Sequence, residues 1–400
     1  MRRERASRIV GDGEVTLARK LWRRGRDLFP TAGFQFDRPL VLLQSDDWGR
    51  VGLRDQEGLE QLRRAGIALG ERAYDFYTLE TADDLGALSD TLKRHHDSVG
   101  QSPSLEMNFI LGNLDFPTMS AEGFQKVRML SLAEGLPAGW HRPGLLEAYR
   151  EGIADGVFCA ALHGMTHFCQ AAVERNLAAG GERAVLLRTL WQAGAPYIHW
   201  RMPWIGYEYW DPEKPDDERF LSPEVQRSLI GQAVGGFAKM FATLPRSACA
   251  PGYRADDQTN RAWAQHGIRV AQNGPGRRLP PHFEDGVLQV CRTIEFEPAV
   301  QMDLSVEACV RQAEGCFERG IPAIVCLHSI NFHSTVRDFR SRTLQLLDEF
   351  LTVLESKHSD LLYLRDEELC EIVTNGSYQA RQERVAVKVR RRTFIKGRVA

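Results

Sequence analysis

The sequence predicts an α/β protein in which a mostly parallel sheet is covered by helices. Eight short segments are strand-like, and most are continuously apolar, which is typical of strands buried on both faces. Helical patterns lie between them, and several end at glycine, a common stop at a helix C-terminus. Because strands alternate with helices, we expect βα units, arranged either as a barrel or as a doubly wound sheet.

The elements follow one another in a regular order. Strands are predicted at 39–45, 104–111, 156–162, 247–251, 267–272, 292–297, 321–327 and 361–364, and helices at 144–156, 260–267, 305–320 and 339–356. A stretch that is dense in Trp, Tyr and Pro, residues 193–220, interrupts this order and is predicted to be a long insertion. Its aromatic side chains either pack it onto the barrel or form a stacking wall for a sugar ring.

Charge divides the chain into three parts. The net charge is −2, but residues 1–27 carry +5 and residues 381–400 carry +7, which leaves −14 on the body between them. We therefore expect a basic N-terminal extension over 1–35, a main domain over 36–375 and a basic C-terminal tail over 376–400. The acidic body argues against nucleic-acid binding. The basic ends are candidates for weak contact with a membrane or a lipid-linked substrate, and solvated termini are the simpler interpretation.

Composition and cysteine usage indicate an ordinary globular protein of the cytoplasm. The sequence contains no run of eighteen apolar residues and no secretory signal at its start. Its eight cysteines form no CxxC pair, and several lie inside apolar runs, where thiols are usually reduced and buried. We therefore predict a cytoplasmic location, no disulfide bond and no cysteine–zinc site.

Titratable or hydrogen-bonding residues follow four of the predicted strands. They are Asp46 and Asp47, His163 and His167, Tyr253 and Arg254, and His328, in chain order. In a parallel barrel the carboxyl ends of all strands open on one face, where catalytic groups gather. Each motif alone is weak: an Asp-Asp pair is most often a turn or a helix cap, and a lone histidine usually has a structural role. Their repeated position after buried strands predicts one shared site.

A divalent metal ion would explain this set of residues. Two neutral histidines and one carboxylate fill three positions around such an ion and leave one position open, as in catalytic rather than structural sites. A second carboxylate next to the ion can act as a general base, and a histidine opposite can act as a general acid. The sequence therefore predicts hydrolytic chemistry, with two adjacent aspartates in different roles.

Four short motifs resemble those of the NodB-type polysaccharide deacetylases, the superfamily of carbohydrate esterase family 4. They are "SDDWG" (45–49), "HGMTH" (163–167), "APGYR" (250–254) and "CLHS" (326–329), and "HSINFH" (328–333) is similar to a branch of bacterial polysaccharide deacetylases. The resemblance implies a distorted (β/α)7 barrel. It also implies a metal-dependent hydrolase that removes an N- or O-acetyl group from a carbohydrate, such as a bacterial surface polysaccharide or a glycan precursor.

The same resemblance implies individual roles. Asp46 would be the general base and His328 the general acid. Asp47, His163 and His167 would hold a divalent metal, zinc in the first place and cobalt, nickel or iron as alternatives. Tyr253 lies near the motif whose backbone N–H stabilises the oxyanion. Arg254 is a candidate to orient Asp46. In the family the arginine of this motif comes before the Pro and Tyr, whereas Arg254 comes after them. Asp256 or Asp257 is a candidate to hold the acid histidine.

Three other functions stay open at this stage. The two aspartates could bind Mg²⁺ or Mn²⁺ in a glycosyltransferase, which would leave His163 and His167 unexplained. Glu208, in the insertion, could pair with Asp46 in a glycoside hydrolase on the same scaffold. A non-catalytic domain that only binds glycan is the third alternative.

Overall fold

The predicted α/β architecture is confirmed. The computed structural model describes residues 30–276, 278–381 and 383–396, and a mostly parallel sheet in it curls into an open half-barrel with helices packed against it. Its strands are short and almost entirely buried, as their continuously apolar sequences predicted. The result is the distorted barrel that the motifs implied.

Sixteen strands are present among the described residues. They are β1 (Pro30–Phe36), β2 (Leu40–Trp48), β3 (Leu105–Ile110), β4 (Gly112–Leu114), β5 (Met129–Ser131), β6 (Phe158–Gly164), β7 (Ser247–Cys249), β8 (Val270–Asn273), β9 (His282–Glu284), β10 (Val287–Cys291), β11 (Ile294–Glu295), β12 (Ala323–His328), β13 (Leu362–Tyr363), β14 (Ser377–Gln379), β15 (Arg384–Ala386) and β16 (Val389–Ile395). Each of the eight predicted strands overlaps one of these. The other eight were not predicted: β1, β4, β5, β9, β10, β14, β15 and β16.

The α-helices of the described chain lie between the strands. They are α1 (Gln56–Arg64), α2 (Ala82–Lys93), α3 (Phe116–Ala121), α4 (Leu145–Ala154), α5 (Gln170–Ala179), α6 (Gly181–Gln192), α7 (Pro223–Phe241), α8 (Asp257–Gln265), α9 (Val306–Phe317), α10 (Arg340–Lys357) and α11 (Asp366–Asn375). Several begin at a side-chain cap that accepts a free backbone N–H, for example Asp55 before α1, Thr81 before α2 and Ser305 before α9. All four predicted helices are confirmed.

The strand order brings distant parts of the sequence together. The main sheet runs β11-β12-β2-β3-β6-β7-β8-β10-β9, and β13 also pairs with β2. Every pair in this order is parallel except β9 with β10. In the register of β12 on β2, His328 lies beside Asp46. Because parallel strands end on the same side, the polar residues that follow them converge at one rim of the sheet.

The described parts of the two predicted terminal segments, 1–35 and 376–400, do not form simple tails. β1 pairs with β16 in an antiparallel ribbon, and β14 pairs with β15. Lys396 at the end of the ribbon bonds Glu284 of β9. The described part of 376–400 is therefore an ordered set of strands, which corrects the predicted tail, and residues 30–35 of the predicted extension belong to this ribbon. The rest of that extension, residues 1–29, lies outside the described residues.

Two further expectations concern cysteines and membranes. All eight cysteines are free and seven of them are buried. Among the described residues, no helix combines the length and the apolar character that crossing a membrane requires.

Candidate active site

Asp46 at the end of β2 is held by a buried arginine. Its Oδ2 accepts a hydrogen bond of 2.7 Å from Nη1 of Arg292, and its Oδ1 accepts one of 2.5 Å from Nη2 of the same guanidinium. Asn108 of β3 donates to Oδ1 at 2.8 Å. Burial opposes the ionised form, but Arg292, followed by His163 and His328, outweighs burial and holds the pKa of Asp46 below its ordinary value. Asp46 is therefore a fixed carboxylate.

Asp47 faces the two histidines that the sequence predicted as its partners. Its Oδ1 lies 3.6 Å from Nε2 of His163 and 3.3 Å from Nε2 of His167, and this buried oxygen has no hydrogen-bond partner. The backbone of Asp47 adopts the left-handed conformation, with φ +74°. Tyr77 and Ser329 hold that turn by donating hydroxyl hydrogen bonds to the Asp47 carbonyl.

These three side chains fit a single divalent cation. One ligand atom from each of Asp47, His163 and His167 lies within 4.8 Å of the others. Nδ1 of His163 lies 2.8 Å from the Cys249 carbonyl, so this nitrogen carries the hydrogen and Nε2 presents a lone pair. Burial keeps the pKa of His167 well below its ordinary value, so this imidazole is neutral and able to bind a metal.

Two other groupings with a cysteine are poorer candidates. One combines Asp46, His163 and Cys249, and the other Glu297, Cys326 and His328. The Arg292 fork already occupies both oxygens of Asp46. Burial raises the pKa of both thiols, which keeps them protonated and weak as ligands. The structure therefore favours Asp47 with the two histidines.

Arg50 gives Asp47 a second charged neighbour. Its Nη2 lies 3.3 Å from Asp47 Oδ2, its Nη1 donates to the Tyr197 hydroxyl at 3.0 Å, and its guanidinium stacks 3.9 Å above the Tyr77 ring. Burial disfavours the charge of Asp47, but the guanidinium of Arg50 outweighs it, and the pKa of Asp47 lies well below its ordinary value. Arg50 compensates one carboxylate oxygen and leaves the other to the histidines.

His328 at the end of β12 is paired with Glu297. Its Nδ1 lies 2.6 Å from Oε1 of Glu297, and its Nε2 lies 3.8 Å from Oδ2 of Asp46. Asn331 donates to the other oxygen of Glu297 at 2.6 Å and fixes that carboxylate. Burial would lower the pKa of His328, but Glu297 outweighs it and raises the pKa to about 10. His328 is therefore a cation with its Nε2–H directed to the Asp46 side.

The structure corrects three expected roles. Arg254 does not hold Asp46: it is exposed, and its guanidinium lies over the Trp210 ring at 4.7 Å. Asp256 caps α8 by accepting from the N–H groups of Gln258 and Thr259, and Asp257 pairs with Arg261 at 3.5 Å. Glu297, not either of these aspartates, holds His328.

Tyr253 lies at the site but not with the expected N–H. Its backbone N–H donates to the Ala250 carbonyl at 2.8 Å, inside a tight turn, so it is already used. Its side chain instead faces the base: the hydroxyl accepts from Nη1 of Arg292 at 3.0 Å. The structure thus places Tyr253 behind Asp46 and gives it a part in orienting Arg292.

Glu208, the candidate for a glycoside hydrolase, supports the histidine loop. One of its oxygens accepts from the N–H of Met165 at 2.8 Å and of Thr166 at 3.4 Å. Burial raises its pKa to about 7. It is not among the residues that line the central cavity, so it does not face Asp46 across a substrate. Glu208 ties the insertion to the loop that carries His163 and His167.

A cavity of about 380 Å³ lies above these groups. Its floor is formed by the site residues, and its walls by aromatic side chains of two loops: Tyr74, Tyr77, Tyr197, His199, Trp200 and Tyr207. The insertion therefore divides between the two predicted roles. Tyr197, Trp200 and Tyr207 line the cavity, whereas Trp210 packs beneath Arg254 and Trp204 beneath Arg183.

Sequence reasoning missed Arg292, Glu297, Arg50 and Asn108. Arg292 and Glu297 are the first and last residues of the segment 292–297 that was predicted as a strand. The signal that identified Asp46 and His328, a polar residue at the end of a buried strand, was present at Arg292 and Glu297 too.

Comparisons with known proteins give distant structural matches only. No family model and no curated protein matches the chain. Among solved structures, a protein assigned as a polysaccharide deacetylase from Mycobacterium smegmatis matches with a TM-score of 0.44 and 11% identity over 84% of this chain and 90% of that one. The family 4 carbohydrate esterase from Streptomyces lividans matches with 0.33 and 11% over 83% and 92%. A family 4 pseudoenzyme from Bacillus anthracis matches with 0.34 and 11% over 81% and 63%.

Proposed function

We propose that this chain is a metal-dependent hydrolase that removes an acetyl group from a carbohydrate. The proposal rests on one observation: three features surround the same cavity. They are a set of side chains able to bind a metal, a carboxylate that an arginine holds, and a histidine that a glutamate holds. Each group has a distinct partner that fixes its charge: Arg292 for Asp46 and Glu297 for His328. An ionised base and a protonated acid lie 3.8 Å apart beside the ligand set.

Asp47, His163 and His167 would hold the ion, with zinc the first candidate because its usual ligands are imidazoles and carboxylates. Such an ion, when bound, lowers the pKa of a water molecule and polarises the acyl carbonyl. The buried, unpartnered Oδ1 of Asp47 is the observation that supports this ligand set. Without a cation, that buried oxygen is left without a hydrogen-bond partner beside the two imidazoles, which is costly.

Asp46 would accept the proton of the attacking water. A carboxylate has about four acceptor positions, and Arg292 and Asn108 occupy three of them. The remaining position is on Oδ2, the oxygen that faces His328, and its only neighbour there among the described residues is the weak thiol donor of Cys249 at 3.8 Å. The strong pairing with Arg292 makes Asp46 a weak base, and it keeps the carboxylate ionised at every pH at which the site works.

His328 would protonate the leaving amine or alcohol. Because Glu297 binds the hydrogen of Nδ1, the proton available for transfer is on Nε2. The pKa of about 10 keeps this proton in place at neutral pH. The geometry thus supports Asp46 as the group that begins the proposed reaction ionised and His328 as the group that begins it protonated.

The first test is metal content and acetyl release. We expect the purified chain, loaded with Zn²⁺, to hold about one ion and to release acetate from acetylated sugars. The double variant His163→Ala/His167→Ala should lose both properties. The variant His96→Ala/His141→Ala is the matched control, because both of these histidines are exposed and lie outside the cavity. A chain that binds zinc and sugar without releasing acetate would instead be a glycan-binding domain.

A further inference from the structure

The interior of the half-barrel behind Asp46 is polar. Gln44 of β2, Gln272 of β8 and Asp366, the first residue of α11, are all buried there together with Arg292. Buried polar side chains cost free energy unless they are hydrogen-bonded, and replacing buried charges by apolar residues of similar size is often neutral or stabilising. Stability alone therefore does not explain a polar layer at this place in the sheet.

All five N–H hydrogens of the Arg292 guanidinium have an acceptor. Asp46 accepts from Nη1 and Nη2, and the Tyr253 hydroxyl also accepts from Nη1. The other hydrogens go to amides: Nε donates to Oε1 of Gln44 at 3.1 Å, and Nη2 donates to Oε1 of Gln272 at 2.9 Å. Because every donor is occupied, the two glutamines fix the direction in which the planar guanidinium faces Asp46.

Asp366 determines which way both glutamine amides point. Its Oδ1 accepts a hydrogen bond of 2.7 Å from Nε2 of Gln44, and its Oδ2 accepts one of 2.7 Å from Nε2 of Gln272. A carboxylate only accepts and a guanidinium only donates. Each glutamine must therefore direct its NH2 group to Asp366 and its carbonyl oxygen to Arg292. We call Asp366, Gln44 and Gln272 the amide relay.

The amide relay also holds the second nitrogen donor of Asp46. Oε1 of Gln272 accepts from Nδ2 of Asn108 at 2.7 Å, and the same NH2 group donates to Oδ1 of Asp46 at 2.8 Å. Arg292 and Asn108 thus share Gln272 as an acceptor. A reversed amide at Gln272 would present hydrogens to both of these donors at once.

A second buried carboxyl group lies beside Asp366 but outside the relay. Oε1 of Glu106 accepts from the backbone N–H of Asp366 at 2.9 Å, and Oε2 accepts from the Ser247 hydroxyl at 3.2 Å. Burial, followed by the charge of Asp366, raises the pKa of Glu106 well above its ordinary value. Burial raises the pKa of Asp366 to about 6, and the bonds from the two glutamines limit this rise. At pH 8 Asp366 is therefore the ionised member of the pair.

We propose, on the basis of the proposed hydrolase function, that Asp366 is a positioning residue for the base Asp46. It acts through the two glutamine amides, which orient the guanidinium that holds Asp46. Asp366 is not among the residues that line the cavity, and it is not part of the metal-ligand set. Its loss should therefore reduce turnover without weakening the binding of zinc or sugar.

The test uses substitutions that preserve side-chain size. Asp366→Asn offers one acceptor and one donor, so one glutamine must turn its NH2 group to Arg292 or lose its bond. Adding Gln44→Glu to this variant moves the negative charge to position 44. The new carboxylate can accept from Arg292 and from the NH2 group at position 366, and the amide oxygen at position 366 can accept from Gln272. Glu106→Gln is the matched control, because it neutralises the other buried carboxyl without altering a bond to either amide.

Two measurements at pH 8 follow the effect. With the Zn²⁺-loaded chain and the pentamer of N-acetylglucosamine, kcat of Asp366→Asn should fall at least about tenfold while KM and zinc content change less than about twofold. The double variant and Glu106→Gln should stay within about threefold of the wild type. In ¹⁵N-arginine-labelled protein, NMR measures solvent exchange of the side-chain N–H signals that Arg292→Met lacks. At least one of them should exchange at least about tenfold faster in Asp366→Asn and in neither of the other two variants.

Urea denaturation identifies the variants that are folded under assay conditions. Wild-type kcat and exchange in Asp366→Asn, an equal loss in Glu106→Gln, or a folded double variant as impaired as the single one would overturn the positioning role. If Asp366→Asn does not fold, Gln272→Met tests the same relay, because it removes an acceptor of Arg292. An unchanged kcat in that variant would also overturn the role.

The exchange measurement separates this proposal from the function on which it rests. The expected exchange pattern, without acetate release by the wild type from the pentamer or from 4-nitrophenyl acetate, would support the positioning of Arg292 by Asp366 and contradict the hydrolase.

Discussion

Replacing Glu297 by glutamine should move the proton on His328 across the neutral range. Glu297 is the group that raises the pKa of His328 to about 10 against the effect of burial. In Glu297→Gln the hydrogen bond to Nδ1 can persist but the negative charge is gone, so we expect the pKa to return towards the ordinary value of about 6.5. At pH 8.5 the protonated fraction would then fall from nearly all to about 1%.

The expected result is a displaced pH profile. If His328 is the general acid, kcat/KM of the wild type should stay level up to about pH 9 and fall as the pH passes through 10. In Glu297→Gln the fall should begin near pH 6.5, which gives a loss of about 100-fold at pH 8.5 and a much smaller loss at pH 6. Glu295→Gln is the control, since Glu295 is an exposed residue two positions earlier in β11.

Stability provides a second measurement that does not depend on activity. His328 has a higher pKa in the folded chain than in the unfolded chain. Its pairing with Glu297 therefore contributes stability that is fully present below about pH 6.5 and is lost as the pH rises towards 10. The difference in unfolding free energy between wild type and Glu297→Gln should shrink over that interval. An unchanged basic limb together with a constant stability difference would refute the assigned role of Glu297.

Two other substitutions test the site against matched controls. Arg292→Met leaves Asp46 buried without its counter-ion, so it should lower the unfolding free energy measured by urea denaturation by about 3–5 kcal/mol. The control Arg254→Met should lower it by less than about 1 kcal/mol. Equal losses of stability would mean that Arg292 does not stabilise the buried charge of Asp46. Gly164→Ala should cost about 2 kcal/mol or more and weaken zinc binding, because φ is +106° and the new Cβ would lie 1.9 Å from Glu208 Oε2. Gly376→Ala is the control: with φ +73°, ψ +10° and open space around the new Cβ, it should cost about 1 kcal/mol without affecting zinc.

The sequence was most informative where a buried apolar strand is followed directly by polar residues. A continuously apolar strand such as β2 or β12 is recognisable because few other elements have that pattern, and the polar residues at its end are then marked by contrast. That contrast located Asp46, Asp47, His163, His167 and His328. The ribbon of β1 and β16 was missed. Every residue of β16 is partly or fully exposed, and the strand carries three consecutive arginines. A solvated tail would have the same composition.

Partners of the site residues were harder to predict than the residues themselves. Which arginine meets Asp46 depends on the sheet order, since β10 and β2 are far apart in the sequence and Arg292 follows β10. Arg254 was chosen for its nearness to a motif, and its loop carries it outward over Trp210. Likewise Glu297 reaches His328 because β11 pairs with β12, a neighbour relation that local pattern does not reveal. Pairings of this kind are tertiary information.

The two adjacent aspartates differ because their carboxylates point to different partners at the end of β2. Asp46 faces inward, where Arg292 and Asn108 are fully buried and occupy most of its acceptor positions, so it is left with an acceptor position that can serve a proton. Asp47 adopts a positive φ, which turns its carboxylate to the histidines, and Arg50 occupies only one of its oxygens. Two carboxylates side by side would otherwise repel and raise each other's pKa. Because each has its own guanidinium, both stay ionised, and only Asp47 keeps an unpartnered oxygen for the proposed metal ion.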